Sequence, residues 1–402
     1  MTGVASTPTQ DALYADVAAL ARIDRLPCSP GEAEAAEWIA ERLRACGADV
    51  TIDEELVHGT YFTPLGVFTG VAAAGGIAVL TGRRQLGGLV AATCAAGLWQ
   101  DLSGGPRRAL RRLLKRQKTT NVVASIGPDD AEHTFVVHGH HDAARTSFIF
   151  DDTVAKFVME HLPFLMSGRD RWPPLMVLVW GGPAAIAASA LTGGRKTAAF
   201  GTLVAGATAA VMAHMSRQPV VPGANDNLSS VAVLLEVARR LRDGGGPPDG
   251  VRVILLSAGA EEANQEGMLA FGRRHFPRLS PERTSFLCLE TVGSPELVLI
   301  EGEGFLKMFE YPSHMKERVA AAAHDAGVRL RRGMRLTFAT DGLVPLRQGY
   351  EAASIGSITE HLVPANYHWP TDVAENLDYG TVQDAAEIVM ATISRSGNGE
   401  TP

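Results

Sequence analysis

Cysteine is scarce and unpatterned in this chain. Cys28, Cys46, Cys94 and Cys288 form no C-x-x-C pair, which excludes a disulfide framework and fits reduced thiols. Residues 1–10 have neither a basic n-region nor an apolar h-region, so no secretory signal is visible and the chain is expected to start in the cytosol. Positive charge is also short. Lys and Arg number 37 against 44 Asp and Glu, a net charge of −7, and this argues against a nucleic-acid partner for the chain as a whole. The 42 Gly and 22 Pro follow no collagen-like period, and 46% hydrophobic with 20% charged residues excludes a disordered chain. What remains is a folded protein whose 402 residues suit two or three units, or one large α/β domain with insertions. Its mean hydropathy of +0.04 lies between a soluble enzyme and a polytopic membrane protein, so the location of the apolar residues decides its meaning.

Those residues are concentrated. Residues 61–82 carry no charge, Arg83 and Arg84 follow, and residues 85–100 are again uncharged. The same design recurs at 173–194 and 197–215, joined by Arg195 and Lys196. Two hydrophobic hairpins result, with four segments near the roughly 20 residues that cross a bilayer as helix, the second being short. Buried hairpins in a soluble core are the alternative, but soluble helices rarely lose every polar face four times over. We therefore expect a lipid bilayer as partner. Tyr61, Trp99 and Trp172 fall at one face as an aromatic belt. Arg107, Arg108, Arg111, Arg112, Lys115 and Arg116, with Lys118, Arg169, Arg171 and Arg217, weight that same face. The positive-inside rule then places the bulk of the chain in the cytoplasm. Between these charges Ala109, Leu110, Leu113 and Leu114 suit an interfacial helix or, equally, a solvated basic linker.

Outside the hairpins the pattern alternates. Helices are expected at the N-terminus and at 229–242, 266–274, 312–326 and 379–395, and strands at 49–52, 121–126, 134–138, 251–257, 285–290 and 297–300. This is an α/β sheet protein. Acids and histidines sit where these strands end, which is where open α/β sheets build their sites. Val137-His138-Gly139-His140-His141-Asp142 sets a carboxylate two residues after a His, so Asp142 can fix the tautomer of His140. Asp226, in Gly223-Ala224-Asn225-Asp226-Asn227, precedes a helix. Glu261 and Glu262 close a buried strand as adjacent carboxylates, which repel unless a cation or a proton separates them. Glu290 closes another strand, and His368 lies in the turn Tyr367-His368-Trp369-Pro370-Thr371-Asp372. Singly each is unremarkable; jointly, two His and several carboxylates form the mixed N/O set a hydrolytic zinc pair needs.

In order and wording these stretches resemble the co-catalytic zinc exopeptidases typified by bacterial leucyl aminopeptidases and glutamate carboxypeptidase II, with the pattern G-x-H-x-D, G-A-x-D-N-x-S, A-E-E, L-D-x-x-G and Y-H-x-P-x-D. The resemblance implies a three-layer α/β/α fold with a central mixed sheet and two zinc ions per chain. By motif position, His140 and Glu290 would bind one zinc, Glu262 and His368 the other, and Asp226 would bridge them. Asp142 would orient His140, and Glu261 would be the general base toward a metal-bridging water. The implied activity is hydrolysis of peptide substrates, with aminopeptidase action first. The family usually has Asp where Glu290 stands, one methylene shorter, which puts metal spacing in question. Thr340-Asp341-Gly342 aligns with a Ser/Thr-Asp segment to which no role is assigned.

The expected organisation is a discontinuous peptidase domain of residues 1–60, 102–172 and 217–402, interrupted by hairpins at 61–101 and 173–216. Two alternatives stand beside the hydrolase: a glutaminyl-cyclase-like acyl transferase, against which Asn227 speaks, and a silent membrane receptor or scaffold, against which the complete set of ligand positions speaks.

Overall fold

The structure is a computed structural model that describes residues 7–103, 111–161 and 174–397. Helices α1 (Pro8–Leu20) and α2 (Pro30–Ala45) precede strand β1 (Asp49–Val57), and the first hairpin follows as α3 (Phe62–Leu80) and α4 (Arg84–Leu102). Strands β2 (Gln117–Ile126) and β3 (His133–His140) lead through α5 (Asp152–His161) to the second hairpin, α6 (Leu175–Thr192) and α7 (Arg195–Met215). Then come α8 (Ser229–Asp243), β4 (Val251–Ala258), α9 (Glu266–His275), β5 (Thr284–Glu290), β6 (Glu296–Glu303) and β7 (Phe309–Glu310). The chain closes with α10 (Ser313–Asp325), β8 (Arg331–Leu336), α11 (Leu343–Arg347), β9 (Glu351–Ile358) and α12 (Tyr379–Gly397).

The strands form one mixed sheet in the order β1-β2-β4-β3-β5-β9-β6-β7, with β8 beside β6. Its centre, β4-β3-β5-β9, is parallel, and β2 and β6 join that centre antiparallel. Parallel strands are buried on both faces, and the alternation shows it. Val137, Leu255 and Leu287 face a core built with α1, α2, α8, α10 and α12, whereas Val136, Ile254 and Phe286 face Met268 and Phe271 of α9 and Val344 of α11. This is the α/β/α layering that the resemblance implied. Strands β8 and β9 were not anticipated. Arg331-Arg332-Gly333 reads as a loop, and the Ala, Ser and Gly of β9 lack the branched side chains that mark a strand.

The four hairpin helices close into a bundle, α3 against α4 and α7, and α6 against α4 and α7. Glycine lets their backbones touch. A Cβ on Gly87 would stand 2.3 Å from the Gly75 carbonyl oxygen, and one on Gly201 would stand 2.7 Å from that of Gly182. Of the four expected segments, three are long and apolar enough to cross a membrane: α3, α6 and α7. The fourth, α4, also carries Arg84, Gln85, Gln100 and Asp101, and its average falls accordingly.

Trp172, Arg169, Arg171, Arg107, Arg108, Ala109 and Leu110 lie outside the described residues. No interfacial helix forms in the described part of the basic stretch, where a single 3-10 turn, Arg111–Leu113, is followed by β2. Arg111 is no free surface charge either. It is fully buried, 3.2 Å from Asp101 at the end of α4 and 3.0 Å from Glu266 at the start of α9.

Candidate metal centre

The sheet's central strands deliver the first candidate ligands. In β3 and β5, His138 pairs with Cys288, so His140 and Glu290 leave the sheet side by side, while Ala258 of β4 pairs with His140 and starts the turn to Glu261 and Glu262. Asp226 lies in the five-residue turn Ala224–Leu228 before α8, with a cis peptide bond to Asn227. His368 comes from the loop after β9. All seven residues singled out from the sequence converge on one place. His140 Nε2 lies 3.3 Å from Asp226 Oδ1, 3.6 Å from Glu290 Oε1 and 3.9 Å from Glu261 Oε2. His368 Nε2 lies 2.9 Å from Asp226 Oδ2 and 3.2 Å from Glu262 Oε1. Asp226 thus turns one oxygen to each histidine. Asp142 sets Oδ1 3.3 Å from His140 Nδ1 and also accepts the amides of Glu261 and Glu262 at 3.0 and 2.9 Å.

Two of these donor sets, His140 with Asp226 and Glu290, and Asp226 with Glu262 and His368, keep their ligand atoms within 4.8 Å of one another. Asp226 Oδ2 and Glu262 Oε1 are buried with no hydrogen-bond partner despite standing close to His368. Donors that crowd together without bonding to each other are aimed at a shared centre, and a metal ion fits that arrangement. The electrostatics agree. Burial, reinforced by Asp341, Glu290 and Glu262 against the opposing His140, pushes Glu261 well above the carboxylate range. Burial likewise raises Glu290 to about 7, with His140 opposing. Burial disfavours a charged His140, yet Glu290, Asp142 and Asp226 raise it well above the ordinary histidine value. So many acids around two imidazoles call for positive charge, which a divalent cation supplies.

Several supporting residues were given no structural role from sequence. Arg25, fully buried, donates to the carbonyls of His141, Pro222, Gly223, Leu20 and Ile23 and so fastens the loops bearing His140 and Asp226. Burial brings its pKa down to about 10 against the pull of Asp372 and Asp142. Asp372 accepts the amides of Asn225 and Asp226 at 2.7 and 3.1 Å. Glu32 accepts Ala260 N at 2.7 Å, just before the paired glutamates. Asn227 donates to Leu289 O and accepts Thr291 N, which ties the Asp226 turn to the end of β5. Asp341, 1% exposed, has both carboxylate oxygens unpartnered, and burial with its acidic neighbours raises it well above the usual range. Asn227, Asp341 and Asp372 were inside the quoted motifs. Arg25 and Glu32 gave no signal beyond a helix-flanking Arg and a first-turn acid.

Residues 201–393 match the model of peptidase family M28. A comparison with curated proteins finds no match. Among solved structures, a glutaminyl cyclase from Bacteroides thetaiotaomicron bound to N-acetylhistamine is similar at 16% identity and a TM-score of 0.56, over 96% of this chain and 97% of that one. A Zn-dependent exopeptidase from Parabacteroides distasonis covers the same shares at 15% identity and a TM-score of 0.55. A zinc aminopeptidase from Bacillus subtilis is similar at 14% identity and a TM-score of 0.55, over 96% of this chain and 94% of that one. At these identities the structures speak for the fold alone. The family match begins within α7 and takes in Asp226, Glu261, Glu262, Glu290 and His368, whereas His140 and Asp142 precede it and join them through β3. The five motifs and the α/β/α layers agree with the matched stretch: residues 201–393 are similar to peptidase family M28, and the solved neighbours share the fold.

Proposed function

We propose that the chain is a zinc-dependent exopeptidase, an aminopeptidase by first choice, anchored in a bilayer by its four-helix bundle. The observation that carries the hydrolase reading is Asp226, buried and offering one oxygen toward His140 at 3.3 Å and the other toward His368 at 2.9 Å. With it, His140 and Glu290 would hold one zinc, and Glu262 and His368 a second. Bound zinc supplies Lewis acidity, polarising a carbonyl and making water a nucleophile near neutral pH. The protein's own residues do the rest. Glu261, with its amide pinned by Asp142, takes the proton from the attacking water and delivers it to the leaving nitrogen. The water oxygen joins the acyl carbon as the C–N bond breaks. Asp142 keeps His140 in one tautomer, and Arg25 holds the two loops at fixed separation.

The bundle supports the membrane reading through what it leaves uncovered. Val71, Ile77, Leu89, Leu178, Phe200 and Leu203 are exposed on its outer faces, a surface suited to lipid. Residues 1–60, 102–172 and 217–402 then form one discontinuous catalytic domain on the cytoplasmic side, and 61–101 with 173–216 form the membrane unit.

Metal content measured together with the products of a mixed peptide library tests the enzymatic reading. Two zinc per chain and released amino acids are expected. Pyroglutamyl products from glutaminyl peptides would instead establish the cyclase, which shares the fold. Full-length protein freed by a carbonate wash would remove the membrane unit.

A further inference from the structure

The metal centre and the end of the bundle are joined by a run of aromatic contacts. Helix α3 starts, α4 ends, α6 starts and α7 ends at the same end of the bundle. There Leu65, Leu98, Leu102, Val179, Met212 and Met215 form a cluster that also takes in Phe150, Phe305 and Leu306 of the catalytic domain. Phe150 stands with its ring centroid 4.5 Å from that of His368, edge to face. Tyr367 stacks on His368 at 4.0 Å and meets Phe150 at 5.7 Å. Two residues before Phe150, Phe148 lies 5.4 Å from His214, in the last turn of α7. One short turn, Phe148–Phe150, thus spans from the bundle to a histidine of the metal centre. Its apolar side chains are not sealed. Phe148 is 59% and Ile149 40% exposed, and Phe157 on the following α5 is 53% exposed. On a soluble protein such a cluster invites aggregation, but at the end of a lipid-facing bundle it lies at the height of the bilayer interface, where apolar and aromatic side chains partition favourably.

Resting on the zinc-peptidase and bilayer readings above, we propose that the substrate is an amphiphile: a peptide or aminoacyl amide bearing a long alkyl chain that stays in the bilayer, against Phe148 and Ile149, while its amide bond reaches the metal centre. The reaction is the same hydrolysis, in which water adds across the C–N bond and leaves one product in the membrane and one in solution. A water-soluble peptide can enter the same site but forgoes the alkyl contact. The alkyl chain acts in two ways: it concentrates the substrate in the bilayer that holds the enzyme, and the few methylenes that meet Phe148 and Ile149 add apolar contact.

The experiment uses the full chain, zinc-loaded, in nanodiscs of phosphatidylcholine and phosphatidylglycerol. One peptide library is offered in three forms: free, as C-terminal tetradecylamides and as N-myristoyl peptides. At least a tenfold higher kcat/KM for one alkylated form is expected, and which form gains shows on which side of the bond the chain lies. In the Phe148→Ser/Ile149→Ser double variant the ratio of alkylated to free rate should fall towards one, a readout that general loss of folded protein leaves untouched. Free peptides cleaved as fast as both alkylated forms would overturn the proposal, as would a ratio unchanged in the variant. Failure to cleave any of the three forms would remove the peptidase reading itself.

Discussion

Around the candidate metal centre buried side chains hold the backbone by directional bonds: Asp142 accepts two amides, Asp372 two more, and Arg25 donates to five carbonyls. In the bundle no such network exists among the described residues; glycines bring backbones together, and side-chain hydroxyls such as those of Thr69, Ser189 and Thr202 return to their own helices. The first region gains position from directional bonds that tolerate no vacancy. The second gains it from shape, which tolerates polar loss but not added volume. Substitutions of opposite kinds should therefore break each.

The largest effect is expected at Glu261. Glu261→Gln keeps the amide pinned by Asp142 and changes no ligand, so zinc content should stay at the wild-type level while kcat falls by roughly 10² to 10⁴. Wild-type turnover in that variant would take the base assignment away. Next comes Arg25→Met, which fills similar volume but leaves five carbonyl oxygens without their donor. Leaving a buried acceptor without its donor costs about 1–3 kcal/mol, and here it also frees the His140 and Asp226 loops. A shortened thermal half-life together with weaker zinc retention on dialysis is the expected pair of results; loss of stability with full zinc retention would make Arg25 a purely structural residue.

In the bundle the converse substitution applies. Gly87→Leu places side-chain atoms where even a Cβ would lie 2.3 Å from the Gly75 carbonyl. Overpacking of this kind costs about 1–3 kcal/mol and should lower the yield of monodisperse detergent-extracted protein. Asp142 and Arg25 do not contact this helix pair, so zinc per recovered molecule should be unchanged. A variant that extracts normally would show that the helices can separate, and the close-packed bundle would not stand.

How much of this was legible in the sequence follows from the same contrast. The bundle announced itself through composition, because long charge-free runs leave few alternatives. Its register did not, since Gly and Ala look alike all round a helix. The candidate ligands were legible because strand ends carry His and acid in short motifs, as with His140 at the end of β3 and Glu290 at the end of β5. What escaped was whatever acts from far along the chain. Arg25 and Glu32 reach the site through backbone contacts with residues more than a hundred positions away, and a single sequence carries no mark of that. Arg111 misled for a related reason: its charge reads as membrane-facing until Asp101 and Glu266 are seen to bury it.

The smallest expected effect compares two glutamates of the catalytic domain. Glu290 sits among other acids, and burial raises it to about 7. Glu301, on the neighbouring strand β6, is also disfavoured by burial, but hydrogen bonds from Arg332 at 2.8 Å and Lys316 at 2.6 Å bring it down to about 2. Here Arg332 and Lys316 supply the positive charge; at Glu290 the chain offers only His140, and the proposed zinc would supply the rest. Because its folded value is below the unfolded one, Glu301 contributes stability at pH values above roughly 4.3, and that contribution is lost as pH falls toward about 2. Discounted for the solvent access of Arg332, its worth is about 1–2 kcal/mol. Thermal unfolding followed against pH should accordingly show Glu301→Gln least stable relative to wild type between pH 5 and 7 by order of magnitude of that figure, the gap narrowing below pH 4 and closing only near pH 2. A gap that stays constant down to pH 3 would mean that packing, and not charge, holds Glu301 in place.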